Sequence, residues 1–126
     1  MSTCFDWEKY LKLSEDLQSA TGFDQEAKAR VVISRAYYAA FCKARNRLRD
    51  DEKIPIPNAE QHKFVRQKFI DTSAQNPNRY AIGNKLLTLS EERCKADYDD
   101  EFSGVAKSAK FALYMARKVL GSLGKL

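Results

Sequence analysis

The sequence predicts an all-α fold, an antiparallel helical bundle of four long helices and one shorter helix, in a single domain spanning residues 1–126. Apolar residues recur at three- and four-residue steps along most of the chain, which is the period of a helix with one buried face. Breakers such as Gly22, Pro55, Pro57 and Pro77 fall where those periodic stretches end. No stretch alternates apolar and polar residues between turn signals, so nothing reads as a strand.

The first helix is expected over about Asp6–Ala20, with Trp7, Tyr10, Leu11 and Leu17 on its inner face and Gly22 as its stop. Asp24 then offers a side-chain oxygen to cap the second helix, Gln25 to about Asp50, which contains neither Gly nor Pro. Ile33, Tyr37, Ala40, Ala44 and Leu48 follow one face of it, and Val32, Ala36 and Phe41 widen the stripe, so this helix is placed at the centre. Pro55 and Pro57 force extended backbone before each of them. The third and shorter helix is expected from Asn58, with Gln61 as a capping-box partner and Val65 and Phe69 facing inward. Residues 71–78 form a polar connector ending in Asn76-Pro77, an N-cap followed by proline in the first turn. The fourth helix runs from Pro77 to Tyr98, with Ile82, Leu86, Leu89, Arg93 and Ala96 on its inner face. After the acidic connector Asp99-Asp100-Glu101, Ser103 is expected to cap a fifth helix reaching Leu123, its inner side lined by Val105, Ala109, Ala112, Ala116 and Val119.

With 44% hydrophobic and 31% charged residues, the chain is neither disordered by composition nor a membrane protein. Its longest apolar run, Ala36 to Cys42, is far short of the ~18 residues of a bilayer span. Met1 to Trp7 lacks the pattern of a secretory signal, and Cys4, Cys42 and Cys94 are an odd set without metal-site spacing, so a cytoplasmic protein with reduced thiols and no metal or cofactor is expected. The net charge of +5 is uneven: residues 25–50 and 103–126 are basic, residues 1–24 and 80–102 acidic. Such alternation suits an anionic partner at the basic faces, and suits equally helices that attract one another. The acidic cluster of Asp97, Asp99, Asp100 and Glu101 reads as dipole partners for the helix that follows, with cation binding as the other option.

Arg35, Tyr38, Cys42, Arg45 and Arg49 recur at three- and four-residue steps and so share one stripe of the second helix. Three arginines and a tyrosine on one face match what an RNA strand needs, cations for phosphate and a ring for stacking. The same spacing fits Arg35 and Tyr38 packed internally, with Arg45 and Arg49 in solvent.

The run Ser34-Arg35-Ala36-Tyr37-Tyr38-Ala39-Ala40-Phe41 resembles the second-helix signature of small HEPN proteins, and Arg93-Cys94-Lys95-Ala96-Asp97-Tyr98 resembles their later Arg-x-x-Ala-Asp-Tyr element. Gln61-His62-Lys63-Phe64-Val65 stands where many relatives open the middle helix with a histidine. The resemblance covers about residues 25–120. It implies a helical bundle that commonly forms a homodimer, in a superfamily where many members are metal-independent ribonucleases of toxin–antitoxin or phage-defence systems. Active members carry an arginine followed within a turn or two by histidine. After Arg93 this chain has Asp97 and Tyr98 instead, and its sole histidine, His62, lies on another predicted helix.

Metal-free RNA cleavage needs a group to take the 2′-hydroxyl proton, one to protonate the leaving oxygen and a cation for the charged phosphorane. Arg93 is the candidate cation and His62 the candidate acid–base group, with Asp97 and Tyr98 as further candidate catalytic residues; Arg35, Tyr38, Arg45 and Arg49 are the candidate RNA-binding residues. Asp97 stands one turn from Arg93, so an ion pair that sets bundle register explains both equally well. Two functions are therefore expected to compete. One is an RNA-binding HEPN-like protein, possessing or lacking ribonuclease activity. The other is a non-catalytic dimerisation module partnering a nucleotidyltransferase, with Tyr98 as a contact or modification site.

Overall fold

A computed structural model describes residues 4–126, and every regular element in it is helical. The five principal helices are α1 (Glu8–Ser19), α2 (Gln25–Asn46), α3 (Gln61–Asp71), α4 (Pro77–Tyr98) and α5 (Val105–Leu123). Short connectors make α1–α2, α3–α4 and α4–α5 antiparallel hairpins. Central α2 packs against α5, α1 and α4, while α3 rests mainly on α4. None of the described helices is long and apolar enough to cross a membrane.

Helix α2 takes the centre because its buried residues include five alanines, Ala29, Ala36, Ala39, Ala40 and Ala44. Small side chains let three neighbours approach at once, and the alanines of α5, Ala109, Ala112 and Ala116, are buried likewise. Ile33, Leu48, Val65, Phe69, Ile82, Leu86 and Val119 fill the space between, each worth roughly 1.5–3 kcal/mol when withdrawn from water. These are the faces that periodicity predicts. Two predicted caps are present: Asp24 Oδ2 accepts from Ala27 N at 2.9 Å and Asn76 Oδ1 from Asn78 N at 2.9 Å.

Four boundaries differ from expectation. Helix α1 begins at Glu8, and Asp6 stands before it with Oδ1 accepting from Glu8 N at 3.1 Å. The α-helical part of α2 ends at Asn46, and Arg47–Asp51 form a widened π turn, which keeps Leu48 buried while bringing Glu52 round to face α4. Helix α3 starts at Gln61 rather than Asn58, because Glu60 adopts left-handed backbone at φ 55° and turns the chain too late for an Asn58–Gln61 capping box. Ser103 does not cap α5; Gly104, at φ 73°, occupies the N-cap and provides no side-chain bond.

A buried ion pair ties these pieces together. Arg79, 4% exposed, donates from Nη1 and Nη2 to both Glu52 oxygens at 2.9 and 2.8 Å, and from Nε to Thr72 Oγ1 at 2.7 Å. Arg47 adds a third donor to Glu52 at 3.0 Å, and Thr72 Oγ1 donates onward to the Lys68 carbonyl at 2.7 Å. One guanidinium thus joins the end of α2, the last turn of α3 and the start of α4. At the other end of α4, Arg30 Nη1 donates to the Ala96 carbonyl at 3.0 Å and so satisfies an orphan of the helix terminus.

Helices α3 and α4 cross most closely at Gly83, where a β-carbon would stand 2.6 Å from the Arg66 carbonyl oxygen and 2.7 Å from Ile70 Cγ1. Gly83→Ala is therefore expected to lower stability by about 1–3 kcal/mol in urea unfolding, with α3 pushed off α4. A second outcome concerns Glu52, whose carboxyl is held below its ordinary value of 4.5 chiefly by the Arg79 hydrogen bonds. The folded pKa lies below the unfolded one, so this stabilisation is complete above pH 4.5 and is lost as pH falls through the depressed value. Glu52→Gln is expected to lose about 3 kcal/mol at neutral pH and to flatten the acid limb of a stability–pH curve.

Candidate nucleic-acid interface

The basic stripe of α2 forms one wall of a cleft of about 470 Å³, lined by Arg35, Tyr38, Phe41, Cys42 and Arg45. Trp7 and Tyr10 of α1's N-terminal end form a second wall, and Gln61 and His62 at the start of α3 a third. Trp7 and Tyr10, expected on the inner face of α1, pack partly buried against the core and also line the cleft. The guanidinium of Arg35 lies 5.5 Å from the Tyr10 ring centre and 5.2 Å from that of Tyr38, and Arg45 lies 5.9 Å from Trp7. Aromatic faces thus hold the cations at the rim without neutralising them.

His62, distant in sequence from both motifs of α2 and α4, is brought between them. Its ring stacks on Phe41 with centroids 4.2 Å apart, and its Nδ1 lies 2.5 Å from the hydroxyl of Tyr37, itself 1% exposed. Arg93 packs against the other side of the tyrosine pair, its Cζ 5.4 Å from the Tyr37 ring and 5.6 Å from the Tyr38 ring. Two guanidiniums, Arg35 and Arg93, therefore share Tyr38. Burial lowers the His62 pKa from 6.5, and the charges of Arg93, Arg66 and Arg45 lower it further, so the surroundings favour the neutral imidazole. Burial also raises the Tyr37 hydroxyl well above 10, against the opposing influence of the Ser90 hydroxyl and of Arg93, so it keeps its proton.

Arg93 occupies the seam position that periodicity assigned to it, with its side chain 12% exposed. It is poorly satisfied there. Nη1 reaches Asp97 Oδ2 only at 3.5 Å, and Nε is buried with no acceptor. The Asp97 carboxylate also meets the Ser34 hydroxyl at 3.4 Å, and Ser34 Oγ accepts from Arg35 Nη2 at 3.1 Å. Asp97 is the only carboxylate in an ion pair with any of Arg35, Arg45, Arg66 and Arg93 among the described residues. Desolvation opposes the charge on Arg93, yet Tyr38, Cys94, Tyr37 and Asp97 together raise its pKa.

Arg49 and Tyr98 stand outside the cleft. Arg49, at the outer end of the stripe, is engaged by Asp50 at 2.8 Å. Tyr98 ends α4 with 75% of its surface exposed. Cys42 is buried and its thiol pushed up by desolvation, as befits a packing residue, whereas Cys4 and Cys94 are exposed. Among the described residues no group of three His, Cys, Asp or Glu side chains is placed to hold a metal ion, the acidic connector included. Neither Tyr37, as the partner of His62, nor the α1 aromatics as a cleft wall was identified from sequence; the place of Tyr37 within the run Ser34–Phe41 was the available signal.

No protein-family model, curated protein or solved structure matches this sequence when it is compared with them. An NMR titration of the single histidine is expected to give a midpoint below 6.5, and Arg93→Ala is expected to move it upward toward that value.

Proposed function

We propose that the chain is a HEPN-like, RNA-directed protein which seats a single RNA strand in the α1–α2–α3 cleft and cleaves it without a metal, as the HEPN resemblance implies. One observation carries this reading: three arginines, Arg93, Arg66 and Arg45, act on a partly buried histidine while a fourth, Arg35, lines the same cleft, and the only carboxylate in an ion pair with any of them among the described residues, Asp97, reaches Arg93 at 3.5 Å. Crowded cations in a partly desolvated setting call for an anion, and the aromatic walls suit unstacked bases. Arg35 and Arg45 take phosphate oxygens, while Tyr10, Tyr38 and Trp7 offer ring faces. Neutral His62 removes the proton of a 2′-hydroxyl through Nε2. The 2′-oxygen bonds to phosphorus and the bond to the 5′-oxygen breaks; that oxygen takes a proton from water and His62 returns its own to solvent. Cyclic phosphate and a free 5′-hydroxyl result. The arginines stabilise the extra negative charge of the phosphorane, Arg93 from behind the tyrosine pair.

A second reading, a non-catalytic module of a homodimer that partners a nucleotidyltransferase, draws on the exposure of Tyr98. The two are separated by titrating a fluorescent single-stranded RNA at several salt concentrations and following its integrity in chelator. The RNA reading expects affinity to fall steeply with salt, by a slope of about 0.7 per phosphate contacted, and Arg45→Ala or Arg35→Ala to reduce that slope by roughly one contact. Cleavage is expected to fall at least about a hundredfold in His62→Ala and Arg93→Ala. Absence of RNA binding at low salt, together with recovery of the native protein bound to a nucleotidyltransferase, favours the module instead.

A further inference from the structure

Helix α5 sets its charges in a way that helix stability does not account for. It carries Lys107, Lys110, Arg117 and Lys118 and is the only one of the five principal helices without a carboxylate. No acid stands in its first turn and no cation in its last, so its charges do not answer the helix dipole. Lys107 and Lys110, three residues apart, repel each other. Among the described residues Arg117 is matched by Glu15 of α1, which accepts from its Nε at 2.9 Å, whereas Lys107, Lys110 and Lys118 enter no ion pair.

Two rings stand among these cations, Phe111 at 49% exposed and Tyr114 at 56%. Steps of three and four residues put Lys107, Lys110, Phe111, Tyr114 and Lys118 on one face, opposite the buried alanines of the same helix. Lys118 Nζ lies 5.3 Å from the centre of the Tyr114 ring, so ammonium and ring form one continuous surface. From Lys107 to Lys118 that surface runs roughly 16 Å along the helix. The apolar side of α5 is taken up by α2 and α4, and no residue of α5 lines the α1–α2–α3 cleft.

We infer that the outward face of α5 is a second binding surface for single-stranded RNA, on which Lys107, Lys110 and Lys118 take phosphate oxygens while Phe111 and Tyr114 stack on bases. The ligand class rests on the RNA reading of the cleft; the surface itself rests on α5 alone. Charge of one sign along a whole helix face complements a polyanion. Lysine is depleted at the centre of protein–protein interfaces, yet here three lysines surround the two rings. Exposed rings accept any unstacked base, which a single strand offers and a duplex does not. A membrane surface fits less well, because a helix lying in one inserts its apolar side, and α5 buries that side in the bundle.

The chain has one tryptophan, Trp7, which lines the cleft, so its emission reports cleft occupancy separately from α5. The probe is a single-stranded 2′-O-methyl RNA of about ten nucleotides, which lacks the hydroxyl that cleavage needs. A second strand is expected to bind each chain and to shift the backbone amide signals of residues 107–118 in ¹H–¹⁵N spectra. The affinity of this second strand is expected to fall with salt by a slope of about 2, three phosphates at about 0.7 each. Lys110→Ala and Lys118→Ala are each expected to reduce that slope by about 0.7, and Tyr114→Ala to weaken the second strand about tenfold, all with Trp7 quenching unchanged. These side chains are exposed, so their replacement leaves the bundle folded. Amide signals of residues 107–118 that stay fixed at saturating RNA overturn the inference, as does unaltered binding of the second strand in Tyr114→Ala and Lys110→Ala. A duplex of the same sequence bound there more tightly than the single strand overturns it too. Poly-glutamate held on α5 more tightly than the RNA overturns it in favour of an acidic protein partner. If α5 signals move while Trp7 emission does not, the cleft reading fails and this surface stands; Trp7 quenching without α5 shifts gives the reverse.

Discussion

A guanidinium cannot stay charged inside a helical bundle without an answering carboxylate, and Arg79 sits 4% exposed at the junction of three helices. Its fork meets both oxygens of Glu52 and its Nε meets Thr72, so the end of α2, the end of α3 and the start of α4 are constrained together. The π turn at Arg47–Asp51 belongs to the same constraint, since a regular continuation of α2 would carry Glu52 along another path. Helix α3 has few other reasons to lie where it does, being short and carrying only Val65 and Phe69 fully buried. Its place is set by this ion pair at one end and by the close crossing at Gly83.

That placement decides the electrostatics of the cleft. Once α3 is held, the His62 ring lies on Phe41 with its Nδ1 against the Tyr37 hydroxyl. The same move brings a titratable group into the field of Arg45, Arg66 and Arg93. Burial and like charge act in one direction on an imidazole, so the site gathers positive charge while its histidine stays neutral. A neutral acceptor flanked by fixed cations is the combination that anion binding joined to proton abstraction requires.

Among the described residues, buried side-chain atoms without a hydrogen-bond partner are Arg93 Nε and Glu92 Oε2 on α4 and Ser14 Oγ on α1. Ser14 can be understood as the small residue that lets α1 lie against α2, where a larger side chain would separate them. Arg93 is different, because a leucine would fill its position at lower energetic cost. Its retention beside two tyrosines and a distant Asp97 makes stability alone a poor account of the residue.

What can be read from the chain directly is whatever depends on neighbours within a few turns. The span Pro77–Tyr98, the caps Asp24 and Asn76, the buried faces of α2 and α5, and the inward position of Arg93 all follow from periodicity and local hydrogen bonding. The stripe of Arg35, Tyr38 and Arg45 is legible for the same reason. Left-handed Glu60 and the π turn escaped because the residues' own preferences point elsewhere, whereas the N-cap at Gly104 follows glycine's ease in left-handed backbone and displaces the side-chain cap expected of Ser103. Above all, the meeting of His62 with Tyr37 and Phe41, and its place in the field of Arg93, belongs to tertiary structure. Helical periodicity tells which way a side chain faces on its own helix, but which side chains meet across helices depends on crossing distances, and here one glycine and one buried ion pair set them.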